Sequence, residues 1–104
     1  MGMNKNTDVL IVGSGIAGLS AALMLPNDIK ITLITKGDSK SCSTSWAQGG
    51  IASVLSETDS FEKHLNDTIS NGNGIVNKNV ASTIIKEGPY CINWLKSHGV
   101  PFTE

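Results

Sequence analysis

Asp8-Val9-Leu10-Ile11-Val12-Gly13-Ser14-Gly15-Ile16-Ala17-Gly18-Leu19-Ser20-Ala21-Ala22-Leu23-Met24-Leu25 is the stretch that decides the fold class. It opens with a short apolar, β-branched run, the pattern of a strand buried on both faces. The run enters Gly13-x-Gly15-x-x-Gly18 and continues into Ala, Leu and Met, residues with high helix propensity. Strand, glycine turn and helix in that order form the context of a dinucleotide-binding turn. Gly13 serves the tight turn, Gly15 lets a pyrophosphate approach the backbone, and Gly18 lets the helix lie close to the strand. The free N–H groups at the helix start then meet the phosphate charge.

A glycine-rich turn alone also suits an ordinary βα connection. Ala21 and Ala22 favour the nucleotide reading, because small residues let the helix pack closely on a sheet. A second apolar strand, Ile29-Lys30-Ile31-Thr32-Leu33-Ile34-Thr35, follows at the distance a βαβ unit needs. The expected bounds are a strand over residues 8–12, a helix over 15–25 ended by Pro26, and a strand over 29–35. The fold class is therefore α/β, the N-terminal βαβ part of a Rossmann-like domain followed by helices. Residues 1–7 read as a disordered arm, and residues 8–104 as part of one nucleotide-binding domain.

Strand two of such units ordinarily ends on Asp or Glu, which bonds the ribose hydroxyls. Here the sequence is Thr35-Lys36-Gly37-Asp38. Lys36 argues against a plain NAD reader and suits a ribose or phosphate contact. A solvated lysine at a strand end explains it equally well.

The second informative stretch is Ser39-Lys40-Ser41-Cys42-Ser43-Thr44-Ser45-Trp46-Ala47-Gln48-Gly49-Gly50. A flexible linker accounts for Ser and Gly but not for Trp46 and Gln48. Hydroxyls and open backbone N–H groups suit pyrophosphate and polar ring edges. The segment is read as a second ligand-cradling loop.

Composition narrows the classes. The chain has 104 residues, 39% hydrophobic and 16% charged, with a formal net charge of −1. That balance fits a globular domain and supplies no field for nucleic acid or an anionic membrane. All eight basic residues are lysines, so the bidentate arginine that usually grips a carboxylate is missing. The two cysteines, Cys42 and Cys91, suggest unpaired thiols rather than a disulfide or metal framework. No signal peptide or membrane-spanning run is evident, and Asn6 breaks a myristoylation motif, so a cytoplasmic location is expected.

The remainder reads as helices. Asp59 and Glu62 form a capping box for a helix over residues 60–71, with Phe61, Leu65, Thr68 and Ile69 inward. Asn77 caps a helix burying Val80, Ile84 and Ile85. Gly88-Pro89 interrupts it, and a separate helix is expected from Pro89 to Ser97, with Ile92, Leu95 and one of Cys91 or Trp94 inward. Gly99 ends that helix in the left-handed conformation. No catalytic constellation and no metal-ligand spacing occurs. The chain ends on Pro101-Phe102-Thr103-Glu104 without a closing element, as expected of an N-terminal piece of a larger protein.

With both glycine-rich stretches in place, the sequence resembles the L-aspartate oxidase branch of the succinate dehydrogenase/fumarate reductase flavoprotein family. Residues 9–22, Thr35-Lys36-Gly37 and Ser43-Thr44-Ser45-Trp46-Ala47-Gln48-Gly49-Gly50-Ile51-Ala52 carry the likeness. It continues through residues 57–60, Asp67-Thr68 and Trp94-Leu95 to Gly99, Val100 and Phe102. The resemblance implies FAD as the cofactor, with Ser14, Gly15, Ile16 and Ala17 lining its pyrophosphate and Lys36 on the adenosine side. Residues Ser43, Thr44, Ser45, Trp46, Ala47, Gln48, Gly49 and Gly50 would wrap its middle and flavin end.

The activity it implies is oxidation of L-aspartate to iminoaspartate, with oxygen or fumarate as acceptor, in quinolinate and NAD synthesis, with a functional link to a quinolinate synthase. Ser43 stands where the respiratory enzymes carry the histidine that bonds FAD covalently, so the implied FAD is non-covalent. The family's substrate-binding residues would lie beyond Glu104, and this stretch alone would be inactive. A soluble fumarate reductase, a stand-alone nucleotide-binding module complete at Glu104, and a non-binding structural domain are the competing readings.

Overall fold

The computed structural model describes residues 6–38, 41–47 and 49–103. It divides into two compact units, Met1–Gly49 and Gly50–Glu104.

The first unit holds β1 (Val9–Val12), α1 (Ile16–Met24), β2 (Ile31–Ile34) and a short α2 (Ser43–Trp46). β1 and β2 pair in parallel, Val9 opposite Ile31 and Val12 opposite Ile34. Parallel strands need a crossover, and α1 provides it, so the unit is a βαβ arrangement. The three elements are each trimmed by one to three residues relative to the sequence expectation. The lower end of the pair is tied beyond the strands. Asp8 N–H donates to the Lys30 carbonyl at 2.9 Å, and Lys30 N–H donates back to the Asp8 carboxylate at 2.9 Å. Thr7 Oγ1 donates to the same Lys30 carbonyl at 2.9 Å. Residues 1–5 of the expected arm lie outside the described residues.

The expected burial of β1 on both faces is not met within this unit. Val12 is 77% exposed and Leu10 55%. Among the described residues a single neighbouring strand and one helix cover β1, which leaves its other face open.

The second unit contains a segment without regular secondary structure over residues 51–55, α3 (Phe61–Asn71) and α4 (Lys78–Ser97). α3 begins at Ser60, whose hydroxyl accepts from Lys63 N–H at 3.2 Å. The expected box between Asp59 and Glu62 is not formed: the cap falls one residue later, and Asp59 N–H donates to the Ser56 carbonyl. Asp59 instead accepts from Ser60 N–H at 2.7 Å through its carboxylate. Asn77 caps α4 as expected, accepting from Asn79 and Val80 N–H. Gly99, at φ +87°, ends it.

α4 is one helix, where the sequence suggested two. Pro89 lies inside it without ending it. Its missing N–H removes the bond to the Ile85 carbonyl, a loss of up to about 3 kcal/mol against a good helix former. The buried stripe runs straight through the proline and offsets that loss. Ile85 is 8% exposed and Ile92 3%, one heptad apart on one face. Val80 and Ile84, expected inward, are 53% and 66% exposed because they lie off that stripe. Leu95 and Trp94 are half-buried, and Cys91 is exposed. Between the two isoleucines, Gly88 receives Ser53, whose Oγ stands 2.9 Å from where a Cβ on that glycine would be. That hydroxyl is buried without a hydrogen-bond partner.

Candidate cofactor site

The site forms where β1 and β2 both end. Val12 is the last residue of β1, and Gly13 N–H donates across to the Ile34 carbonyl at 2.8 Å. The chain then reverses into α1. Gly13 has φ +115°, a conformation a side chain resists. Gly18 faces the turn from the first coil of α1, and a Cβ there would collide with the Gly13 carbonyl and stand 3.1 Å from Ile11 Cγ2. These contacts bear out the turn and close-packing roles read from the sequence. The carboxyl edge of parallel strands, at the start of the crossover helix, is where α/β sheets place ligands.

Gly15 is the N-cap of α1 and offers no side-chain cap. The helix's first bond is Leu19 N–H to the Gly15 carbonyl, at 3.0 Å. Ile16, Ala17 and Gly18 N–H groups therefore precede the hydrogen-bonded ladder and point out of the helix start. No acidic residue occupies the first turn to repel an anion. A helix start of this kind, with glycine at the closest approach and no acidic residue in the first turn, fits a phosphate group.

Ser14 is 5% exposed, and its hydroxyl donates to Thr35 Oγ1 at 3.2 Å. That bond ties the glycine turn to the residue just past β2, beside the exposed Lys36. Thr35 belongs to the stretch that carries the family likeness, and its part in holding the glycine turn comes from this bond. The Ser14 side chain thus fastens the turn to the end of β2.

From the second stretch, Ser43, Thr44, Ser45 and Trp46 form α2, with Ala47 as its C-cap. Ile16 N–H donates to Thr44 Oγ1 at 3.1 Å, which brings this segment to the start of α1. Trp46 is 80% exposed. Gln48 lies outside the described residues, as do Ser39 and Lys40. Gly49 closes the first unit, and Gly50 begins the second. Cys42, the N-cap of α2, sits 3.3 Å from the Ser45 hydroxyl, which with the Ser45 N–H holds the thiol below its ordinary pKa.

The second unit carries a separate open groove of about 510 Å³ lined by Ile51, Leu55, Ile92, Asn93, Lys96 and Phe102, among others. None of the residues nominated for the cofactor lines it. Among the described residues no acidic, histidine and cysteine cluster suits a metal ion. No described helix is long and apolar enough to cross a membrane.

A parallel βαβ unit with a glycine turn at the start of its helix defines a protein of the α/β class. More particularly, the chain belongs to the FAD-binding domain family, whose model matches residues 8–104. FAD is accordingly its cofactor. Its similarity to an L-aspartate oxidase of Pseudomonas aeruginosa is 43% identity over 103 residues, 99% of this chain and 19% of that protein. An L-aspartate oxidase of Yersinia pestis is 45% identical over 96 residues, 92% of this chain and 18% of the relative. One from Synechocystis is 40% identical over 102 residues, 98% and 18% respectively. The chain thus spans about a fifth of the length of the curated relatives it matches.

Proposed function

We propose that this chain is the FAD-holding part of an L-aspartate oxidase with a Rossmann-like domain, one that oxidises L-aspartate to iminoaspartate and passes the electrons to oxygen or fumarate. The observation that carries the proposal is the start of α1 beneath Gly13 and Gly15, with no side chain of its own as cap and joined by Thr44 from the Ser43–Gly50 stretch. The similarity to L-aspartate oxidases supplies the substrate of the reading. When bound, FAD supplies the hydride acceptor. The chain's own residues bind and orient it. Main-chain N–H groups over residues 14–17 take the pyrophosphate, with the positive end of α1 behind them. Lys36, exposed past β2, lies on the adenosine side and adds a positive charge there. Residues 43–50 wrap the centre and the flavin end.

Ser43 is exposed at the start of α2, and a serine hydroxyl cannot form a histidyl–flavin bond. The FAD is therefore held non-covalently. The dicarboxylate needs cationic partners of the bidentate kind, and this sequence contains no arginine. Substrate recognition belongs to residues outside these 104. The place of the product in quinolinate and NAD synthesis follows from the same reading.

The test uses the complete polypeptide purified with its flavin. Anaerobic addition of L-aspartate should bleach the flavin's visible absorbance, and oxygen or fumarate should restore it. Acid precipitation should release all the flavin into the supernatant. A flavin that aspartate leaves oxidised, while fumarate reoxidises the chemically reduced form, would reassign the protein to a fumarate reductase. Flavin that stays with the acid precipitate would contradict the role given to Ser43.

A further inference from the structure

The start of α1 is capped from far along the chain. A capping side chain at position 15 would fill the space in which a phosphate must sit, and Gly15 leaves that space open. The cap comes instead from Thr44, whose Oγ1 accepts the Ile16 N–H at 3.1 Å. The same oxygen stands 3.4 Å from where a Cβ on Gly15 would be. The Thr44 hydroxyl thus lies in front of the glycine turn, on the donor that the proposed FAD site assigns to phosphate.

We propose that in the flavin-free protein the Thr44 hydroxyl is an internal stand-in for a phosphate oxygen, holding the Ile16 N–H until the FAD pyrophosphate displaces it. The inference rests on the reading that FAD seats its phosphates on α1. An amide N–H makes one good hydrogen bond at a time, so hydroxyl and phosphate compete for it. Phosphate wins the exchange because a charged acceptor bonds roughly twice as strongly as a neutral one. The helix dipole also favours an anion over a hydroxyl.

The segment is built to let go. Its own bonds, Ser45 N–H to the Cys42 carbonyl at 3.0 Å and Ala47 N–H to the Thr44 carbonyl at 3.3 Å, are internal and survive a local shift of α2. Thr44 is exposed, so release of its side chain opens no cavity. Its contribution to bound FAD then comes from the main chain. The latch keeps α1 capped without cofactor, links the order of residues 42–47 to occupancy, and weakens apparent FAD affinity by its own stability.

The experiment titrates the flavin-free form of the complete polypeptide with FAD and, separately, with ADP. Thr44→Val keeps the side-chain shape and removes the acceptor. It should bind both ligands about fivefold more tightly, the equivalent of one helix-cap bond. An equal gain for ADP places the effect at the phosphates rather than the flavin ring. Thr44→Ser keeps the oxygen and should match the wild type within about twofold on the same scale. Thr44→Ala carries the same expectation as Thr44→Val should the latter fail to fold. Unchanged or weaker binding by the valine or alanine variant, with the wild type binding normally, overturns the latch alone. A wild type that binds neither FAD nor ADP overturns the FAD-site reading, and the latch with it.

Discussion

Gly18 holds the strictest steric position in the molecule, because the carbonyl of Gly13 occupies the space its Cβ would need. Gly18→Ala should push α1 off β1 at a cost of about 1–3 kcal/mol. It should also displace the N–H groups that meet the phosphates, weakening FAD binding about tenfold or more, since each tenfold is about 1.4 kcal/mol. Thermal melting and a flavin titration of the complete polypeptide check both effects. A variant that melts and binds like the wild type would show that the helix and turn are not in contact. This glycine was legible in the sequence because its spacing from Gly13 and the strand–turn–helix context are local. The bond between Thr44 and Ile16 was not. Its partners are 28 positions apart, and nothing within either motif marks them as neighbours. Ser14 shows the same limit. Its partner Thr35 depends on the parallel register that brings Ile34 beside Gly13.

Element identities were easier to read than their junctions. The βαβ order, the Asn77 cap and the left-handed Gly99 follow from local rules that the folded chain obeys. α4 departs from them at Pro89, because a proline's local preference cannot report the burial of Ile85 and Ile92 on either side. The proline is therefore tolerated rather than favoured. Pro89→Ala restores a donor for the Ile85 carbonyl and should stabilise the second unit by about 1–3 kcal/mol. Chemical denaturation of the complete polypeptide measures it. A loss of stability would mean that the ring's packing outweighs the missing bond. Ser60 in place of Asp59 as the N-cap of α3 is a one-residue ambiguity in the sequence, where both residues are good caps. The Ser60 hydroxyl accepts from Lys63 N–H inside the helix, whereas the Asp59 carboxylate accepts only from its neighbour Ser60.

At the scale of the whole molecule, the described residues bury few side chains, and none fully: Ser14, Ile85 and Ile92 keep 5%, 8% and 3% exposure. Apolar residues on β1, β2 and α1 stay open, among them Val12, Leu23 and Met24, at 77%, 59% and 61% exposure. The β1 sequence pattern anticipated cover on both faces, and such open apolar surface is what interaction sites show. The glycine turn, the start of α1 and Thr44 are nevertheless held together, by the bond from Ile16 N–H to the Thr44 hydroxyl. The central claim is that FAD places its phosphates there. Hydrogen–deuterium exchange of the complete polypeptide, with and without FAD, tests it most directly. Peptides spanning residues 13–19 and 43–50 should gain the strongest protection on binding. Protection confined to other segments, with these two unchanged, would contradict the account.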